Sequence, residues 1–198
     1  MRSLYNYIIS TENRYNNKID VGDKELVLNT EITERDYEFV NRIAKVVNVP
    51  INFETPIKKD DEVIVHHNVF RRWFDARGDE RNSASFIDED KYAVYHDQIF
   101  AYKQNNKWHA MLDYCFVKPL PNEDKWSTLS ERKLAGVLTY TNKYLSSLGL
   151  AIGDIVGFTP NSEYEFNIDG TKLYRILSTD ITINYGHKEK KRATTKSC

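Results

Sequence analysis

Histidines, cysteines and adjacent acidic residues are the groups in this chain with the means to do chemistry, and their spacing argues against it. His66 and His67 are neighbours, so on a strand they face opposite sides and cannot share a metal ion simply. His96, His109 and His187 lack the spacing of a ligand set. Cys115 lies between Tyr114 and Phe116, a setting for an inert buried thiol rather than an activated thiolate. The acidic pairs Asp60-Asp61 and Glu89-Asp90 read as turn residues. The chain has neither a Gly-rich phosphate loop ending in Gly-Lys-Ser/Thr nor a dinucleotide-binding Gly-Xaa-Gly-Xaa-Xaa-Gly turn. The expectation is a protein with no catalytic residues, no metal and no cofactor, and so not an enzyme.

Contact chemistry is better represented. Arg71-Arg72-Trp73-Phe74 mixes charge with aromatic rings, as a site for single-stranded nucleic acid would. The plainer expectation is an insertion anchored by Trp73 and Phe74 with the arginines at its rim. Arg77-Gly78-Asp79 reads as a charged turn. Leu26-Val27-Leu28 is a different case, because these three apolar residues sit inside a long charged stretch rich in Asn and Gly. They belong either to a strand or hairpin folded against the core, or to a mobile loop offering an apolar anchor to a partner. A loop of that kind gives up conformational entropy on binding.

Composition points to strands as the elements that hold these residues. Aromatics make up 13% of the 198 residues, with 13 Tyr and 9 Phe, which suits half-buried pleated surfaces. The 28 basic and 29 acidic residues nearly cancel, so no global field favours nucleic acid or an anionic membrane. Cys115 and Cys198 lie far apart and give no disulfide framework, which fits a reducing compartment. The N-terminal residues form no long apolar run, so the expectation is a cytoplasmic protein without signal peptide or membrane span.

The chain then repeats itself. Asp61-Glu62-Val63-Ile64-Val65 echoes Asp154-Ile155-Val156-Gly157-Phe158. Tyr92-Ala93-Val94 followed by Gln98–Tyr102 echoes Tyr174-Arg175-Ile176 followed by Asp180–Ile183. Upstream, Arg42–Val47 echoes Lys133–Leu138, and Tyr5–Ile9 echoes Tyr114–Lys118. Matches in one order indicate an internal duplication. Phe39, Val40, Ile43, Val46 and Val47 have helical spacing, as Leu134, Val137, Leu138, Tyr144 and Leu145 nearly do. Their equivalent places in the two copies favour strand for both. Asp169-Gly170, flanked by alternating residues, marks a two-residue hairpin. Another hairpin is expected to join Gln98–Tyr102 to Trp108–Leu112 across Lys103–Lys107.

These strands and turns predict an all-β chain of two tandem small β-barrels. The first spans residues 1–112 with a long loop over about 11–41 and an insertion over about 68–90 found only in that copy. The second spans 113–185, and a basic, disordered tail follows over 186–198.

The order of elements resembles the GroES family, the chaperonin small subunit, and especially its divergent phage-encoded members. The likeness is carried by Gly136-Val137-Leu138, Gly153-Asp154-Ile155-Val156-Gly157-Phe158, Asp169-Gly170, Leu173–Ile176 and Asp180-Ile181. The first copy follows more loosely with Asp60–Val65 and Gln98–Tyr102, and Lys45 stands where its glycine belongs. Lys24-Glu25 replaces the family's Gly-Gly before the apolar triplet.

The resemblance implies a co-chaperonin that caps a host chaperonin ring (a GroEL-like large subunit) and assists ATP-dependent folding of unfolded proteins, viral capsid proteins among them. It implies Leu26, Val27 and Leu28 as chaperonin-binding residues, a homo-oligomeric ring, host cytoplasm as the location, and no nucleic-acid or membrane partner. The alternative is a virion structural or assembly protein that reuses the barrel without chaperonin binding. In that case Leu26-Val27-Leu28 is buried and the 68–90 insertion makes subunit contacts.

Overall fold

The computed structural model describes residues 2–15, 18–27, 40–111, 113–122 and 130–187. The chain divides into two units, Met1–Trp108 and His109–Cys198. Among the described residues it forms seventeen strands and one short α-helix, so it is all-β. None of the described helices is long and apolar enough to cross a membrane.

In the first unit, β1 (Tyr7–Ser10), β4 (Ile43–Asn48), β5 (Glu62–Val65), β8 (Phe86–Asp88), β9 (Lys91–Val94), β10 (Ile99–Gln104) and β11 (Lys107–Ala110) make one sheet, ordered β8-β9-β1-β4-β5-β10-β11. In the second, β12 (Tyr114–Pro121), β13 (Glu131–Tyr140), β14 (Asp154–Phe158), β15 (Tyr164–Ile168), β16 (Thr171–Leu177) and β17 (Ile181–His187) are ordered β15-β16-β12-β13-β14-β17. Placing β12 on β1 makes the two orders identical apart from the added β11. A single 3-10 turn links β9 to β10 and another links β16 to β17. Among the described residues neither sheet is closed by a ladder between its end strands.

The ladders fix the correspondence to the residue. Ile9 faces Val46 and Tyr92, while Val117 faces Leu138 and Tyr174. The pair equivalent to Tyr7 and Ile8 is therefore Cys115 and Phe116, one residue off the correspondence read from the sequence. On the next strand Ala44 faces Val63 and Gly136 faces Val156. Ala44, and not Lys45, thus occupies the glycine's place. A methyl group can be borne there in the first unit. At Gly136 a Cβ would stand 2.8 Å from the Lys118 carbonyl oxygen.

Both core strands are entered through the same corner. Asp61 accepts the Lys58 N–H at 2.8 Å, and Asp154 accepts the Ala151 N–H at 2.9 Å. The residue before each carboxylate has positive φ, 71° at Asp60 and 98° at Gly153, as the third position of a type II turn requires. Its N–H reaches back to the preceding strand, to Val46 O or Leu138 O, at 2.8 Å in both units. The strand on the far side of the core strand, β10 or β17, then closes on the same carboxylate. Gln104 Nε2 donates to Asp61 at 2.7 Å, and His187 Nδ1 lies 3.3 Å from Asp154.

Several local expectations are met and others are corrected. β15 and β16 meet across Asp169 and Gly170, both at positive φ. The β10–β11 turn is shorter than expected, only Asn105-Asn106, because both asparagines take the left-handed conformation. Ile43–Asn48 and Glu131–Tyr140 are strands. Tyr144 and Leu145, however, fall in α1 (Lys143–Ser147), whose N-cap Asn142 accepts the Leu145 N–H. The insertion is shorter than 68–90, because Phe86–Asp88 and the Glu89-Asp90 turn are the first unit's version of the β15–β16 hairpin. Gly186 and His187, expected in the tail, complete β17, and residues 188–198 lie outside the described residues.

Two outcomes follow. Gly136→Ala should lower stability in a urea titration by about 1–3 kcal/mol through overpacking, whereas Ala44→Gly should cost less than about 1 kcal/mol. Equal effects would contradict the Cβ argument. Asp154's pKa is held below its ordinary value, first by the Ala151 N–H and then by His187. Its stabilisation is therefore complete above the unfolded carboxylate pKa and is lost as pH falls through the lower, folded value. The stability gap between the parent and Asp154→Asn should be widest near neutral pH and vanish in acid. A gap independent of pH would refute this.

Candidate functional site

Leu26 and Val27 of the apolar triplet sit on a hairpin. β2 (Lys18–Val21) and β3 (Lys24–Val27) pair from Lys18↔Val27 to Val21↔Lys24 across Gly22-Asp23, with Gly22 at positive φ. Their two-stranded sheet shares no ladder with the large sheet among the described residues. Leu26 is 52% exposed. Val27 ends β3, and Leu28 lies outside the described residues. The described part of the segment, Lys18–Val27, is thus a hairpin with Leu26 facing solvent.

The root of this hairpin is firmly made. Tyr15 and Val40 form an antiparallel bridge, and both are buried. Asn41 spans the stem, because its Nδ2 lies within 3.0 Å of Thr11 Oγ1, Asn13 O and Ile43 O, and its Oδ1 accepts the Ile43 N–H. One amide side chain therefore satisfies several backbone groups that the departing loop leaves unpaired.

The insertion is the second projecting element. It opens on a 3-10 turn, His67–Val69. It continues in the ribbon β6 (Arg72–Phe74) and β7 (Glu80–Asn82), paired from Arg72↔Asn82 to Phe74↔Glu80. The expected anchors are wrong. Trp73 and Phe74 are 47% and 55% exposed, and the buried residues are Val69 and Phe70 just before them. Ser83 Oγ ties the far side to Val69 O at 2.6 Å. The ribbon's end is the expected charged turn. Asp75 accepts the Arg77 and Asp79 N–H groups and two nitrogens of Arg81. The Arg81 guanidinium, followed by those backbone donors, holds its carboxyl below the usual range. Trp73 also walls a cleft of about 560 Å³ with Asn68, Arg71, Ser83 and Ala84.

The other candidate groups are placed as follows. His66 and His67 do not face apart. Their rings stack with centroids 4.3 Å apart, because His66 Nδ1 accepts the Asn68 N–H and turns the chain out of the strand. Among the described residues no three His, Cys, Asp or Glu side chains gather in a metal-binding arrangement. Cys115 is fully buried, and desolvation pushes its thiol up to about 12. A broad basin of about 950 Å³ beside β4 and β5 is lined by both signs of charge. Lys45 and Lys103 there are neutralised by Asp60 at 3.4 Å and Glu62 at 3.3 Å.

Sequence reasoning missed one polar cluster and two contact residues. Tyr174 donates to Glu131 at 2.6 Å, and Lys172 lies 3.0 Å from Glu131 and 3.1 Å from Glu165, tying β13, β15 and β16 together. Burial acts to raise the Glu131 pKa, but the bonds from Tyr174 and Lys172 outweigh it and hold it low. The missed contact residues are Arg14 and Tyr15, which nothing local distinguishes from their polar neighbours. No protein-family model matches the chain, and no curated protein matches it significantly.

In a Cys198→Ser background, Cys115 of the folded chain should react with a thiol reagent at least on the order of a hundredfold more slowly than a free thiol. Rapid labelling without unfolding would show the thiol to be accessible.

Proposed function

We propose that this chain is a tandem GroES-like lid for a chaperonin ring. One observation carries the reading. Both units share a six-strand order and an Asp-closed corner, and among the described residues the first alone sends out, between its first two core strands, a hairpin with an exposed leucine on its second strand. On this reading each sheet curls into a small barrel. The matching irregularities, between Ile99 and Ala101 and between Gly157 and Phe158, are the bends that allow it. Leu26, with Val27 and Leu28, enters an apolar groove on the large subunit of a host chaperonin. The partner supplies all nucleotide chemistry, and the capped chamber shelters unfolded chains such as capsid proteins.

Leu26 is already half-buried, so docking it contributes less than the ~1.5–3 kcal/mol of a fully exposed leucine, too little for capture by one loop. A ring of such loops supplies the rest through effective concentration. The exposed Trp73 and Phe74 favour a second reading, a structural or assembly protein whose insertion makes subunit contacts.

Leu26→Asp distinguishes the two. The lid reading predicts that it weakens binding to a bacterial chaperonin with ATP by about a hundredfold or more across a ring, with the chain's own assembly unchanged. Undiminished capping and refolding by the variant would overturn the lid. Loss of self-assembly on Trp73→Ala, without any chaperonin binding by the parent, would establish the second reading.

A further inference from the structure

We infer that the β6–β7 insertion is a brace that positions the β2–β3 hairpin, with Arg14 and Tyr15 as the positioning residues. The contacts form one connected set. Arg14 Nε donates to Phe70 O at 3.2 Å, one terminal nitrogen donates to Asn82 Oδ1 at 2.7 Å, and the other lies 3.7 Å from Glu80. Its guanidinium carbon also stands 5.7 Å from the Phe86 ring centre and 5.9 Å from that of Tyr92. The Tyr15 hydroxyl accepts the Arg72 N–H at 3.0 Å and donates to Arg72 O at 3.3 Å. The Arg72 guanidinium lies over the Tyr15 ring at 5.6 Å and reaches Glu80 at 3.4 Å. Two residues of the hairpin stem thus hold both strands of the insertion.

Strand geometry shows why the arrangement suits a brace. Arg72 and its cross-strand partner Asn82 lie on one face of the ribbon, and the neighbouring Trp73 lies on the other. The ribbon therefore turns Arg72, Asn82 and Glu80, with Phe74 beside Glu80, to the stem's side and keeps the Trp73 indole on the other. A two-stranded hairpin is marginal alone, and here two such ribbons share one root. β2 begins three residues after Tyr15, so the tether is at most about 11 Å long. Ordering the hairpin before it meets a partner lowers the entropy cost of docking. That consequence rests on the lid reading, whereas the brace itself does not.

Amide hydrogen exchange on the free, full-length chain provides the test. Tyr15→Phe keeps the ring and removes only the hydroxyl, and Asn82→Ala cuts the set from the insertion side. Each should speed exchange over residues 11–27 and 40–43 by about tenfold, leaving β5, β12 and β14 unchanged. Tyr92→Phe is the control. Its hydroxyl is buried in the same region without a hydrogen-bond partner, so its loss should leave the root's exchange as it was. Unchanged exchange in Tyr15→Phe and Asn82→Ala would overturn the brace, as would an increase spread evenly over the first unit. A local increase in a chain that binds no chaperonin would keep the brace and refute the lid.

Discussion

Both sheets hang on one corner, a carboxylate at the mouth of the core strand that binds the N–H three residues behind it. Asp61 and Asp154 each fix a tight turn there, and the residue before each is bonded back to the preceding strand. The corner sets the register of β4 on β5 and of β13 on β14, and through them the positions of β1 and β12. A slip of one residue would move every side chain to the other face. That the same bonds recur at almost the same lengths in two units with little residue identity shows which constraint the architecture retains. The partner of the carboxylate is freer, being an amide in one unit and an imidazole in the other.

The two frames differ in what they carry. The second unit encloses a core of Cys115, Val117, Leu138, Leu145, Val156, Phe158 and Ile176. The first adds two projecting ribbons and fastens them to each other at their roots. Its exposed apolar groups include Leu26 on one ribbon and Trp73 and Phe74 on the other. Aromatic residues held outward on a fixed frame are frequent anchors of protein contacts, and Trp73 and Phe74, like Leu26, sit on ribbons that the first unit alone has among the described residues.

What the sequence reveals follows the range of the interactions involved. The Asp169-Gly170 hairpin is readable because its turn chemistry is local. The duplication is readable because strand order survives divergence. Register is not. Tyr7, Ile8 and Ile9 are all buried, as are Cys115, Phe116 and Val117, so the alternation that would fix a strand's face is missing, and the correspondence comes out one residue off. The same one-residue shift puts Lys45, rather than Ala44, at the glycine position. Trp73 and Phe74 mislead because apolar character is not burial. The residues that orient their ribbon, Arg14 and Tyr15, lie more than fifty positions away in the chain. His66 and His67 mislead because one side-chain bond to Asn68 ends the strand early.

The central claim is that the first unit's hairpin docks this chain onto a chaperonin ring. Native mass spectrometry of the chain with a bacterial chaperonin and ATP tests it most directly. The account predicts a complex of the intact chaperonin ring with a fixed whole number of copies of this chain, formed only with nucleotide. A folded chain that leaves the chaperonin at its own mass under those conditions would contradict it.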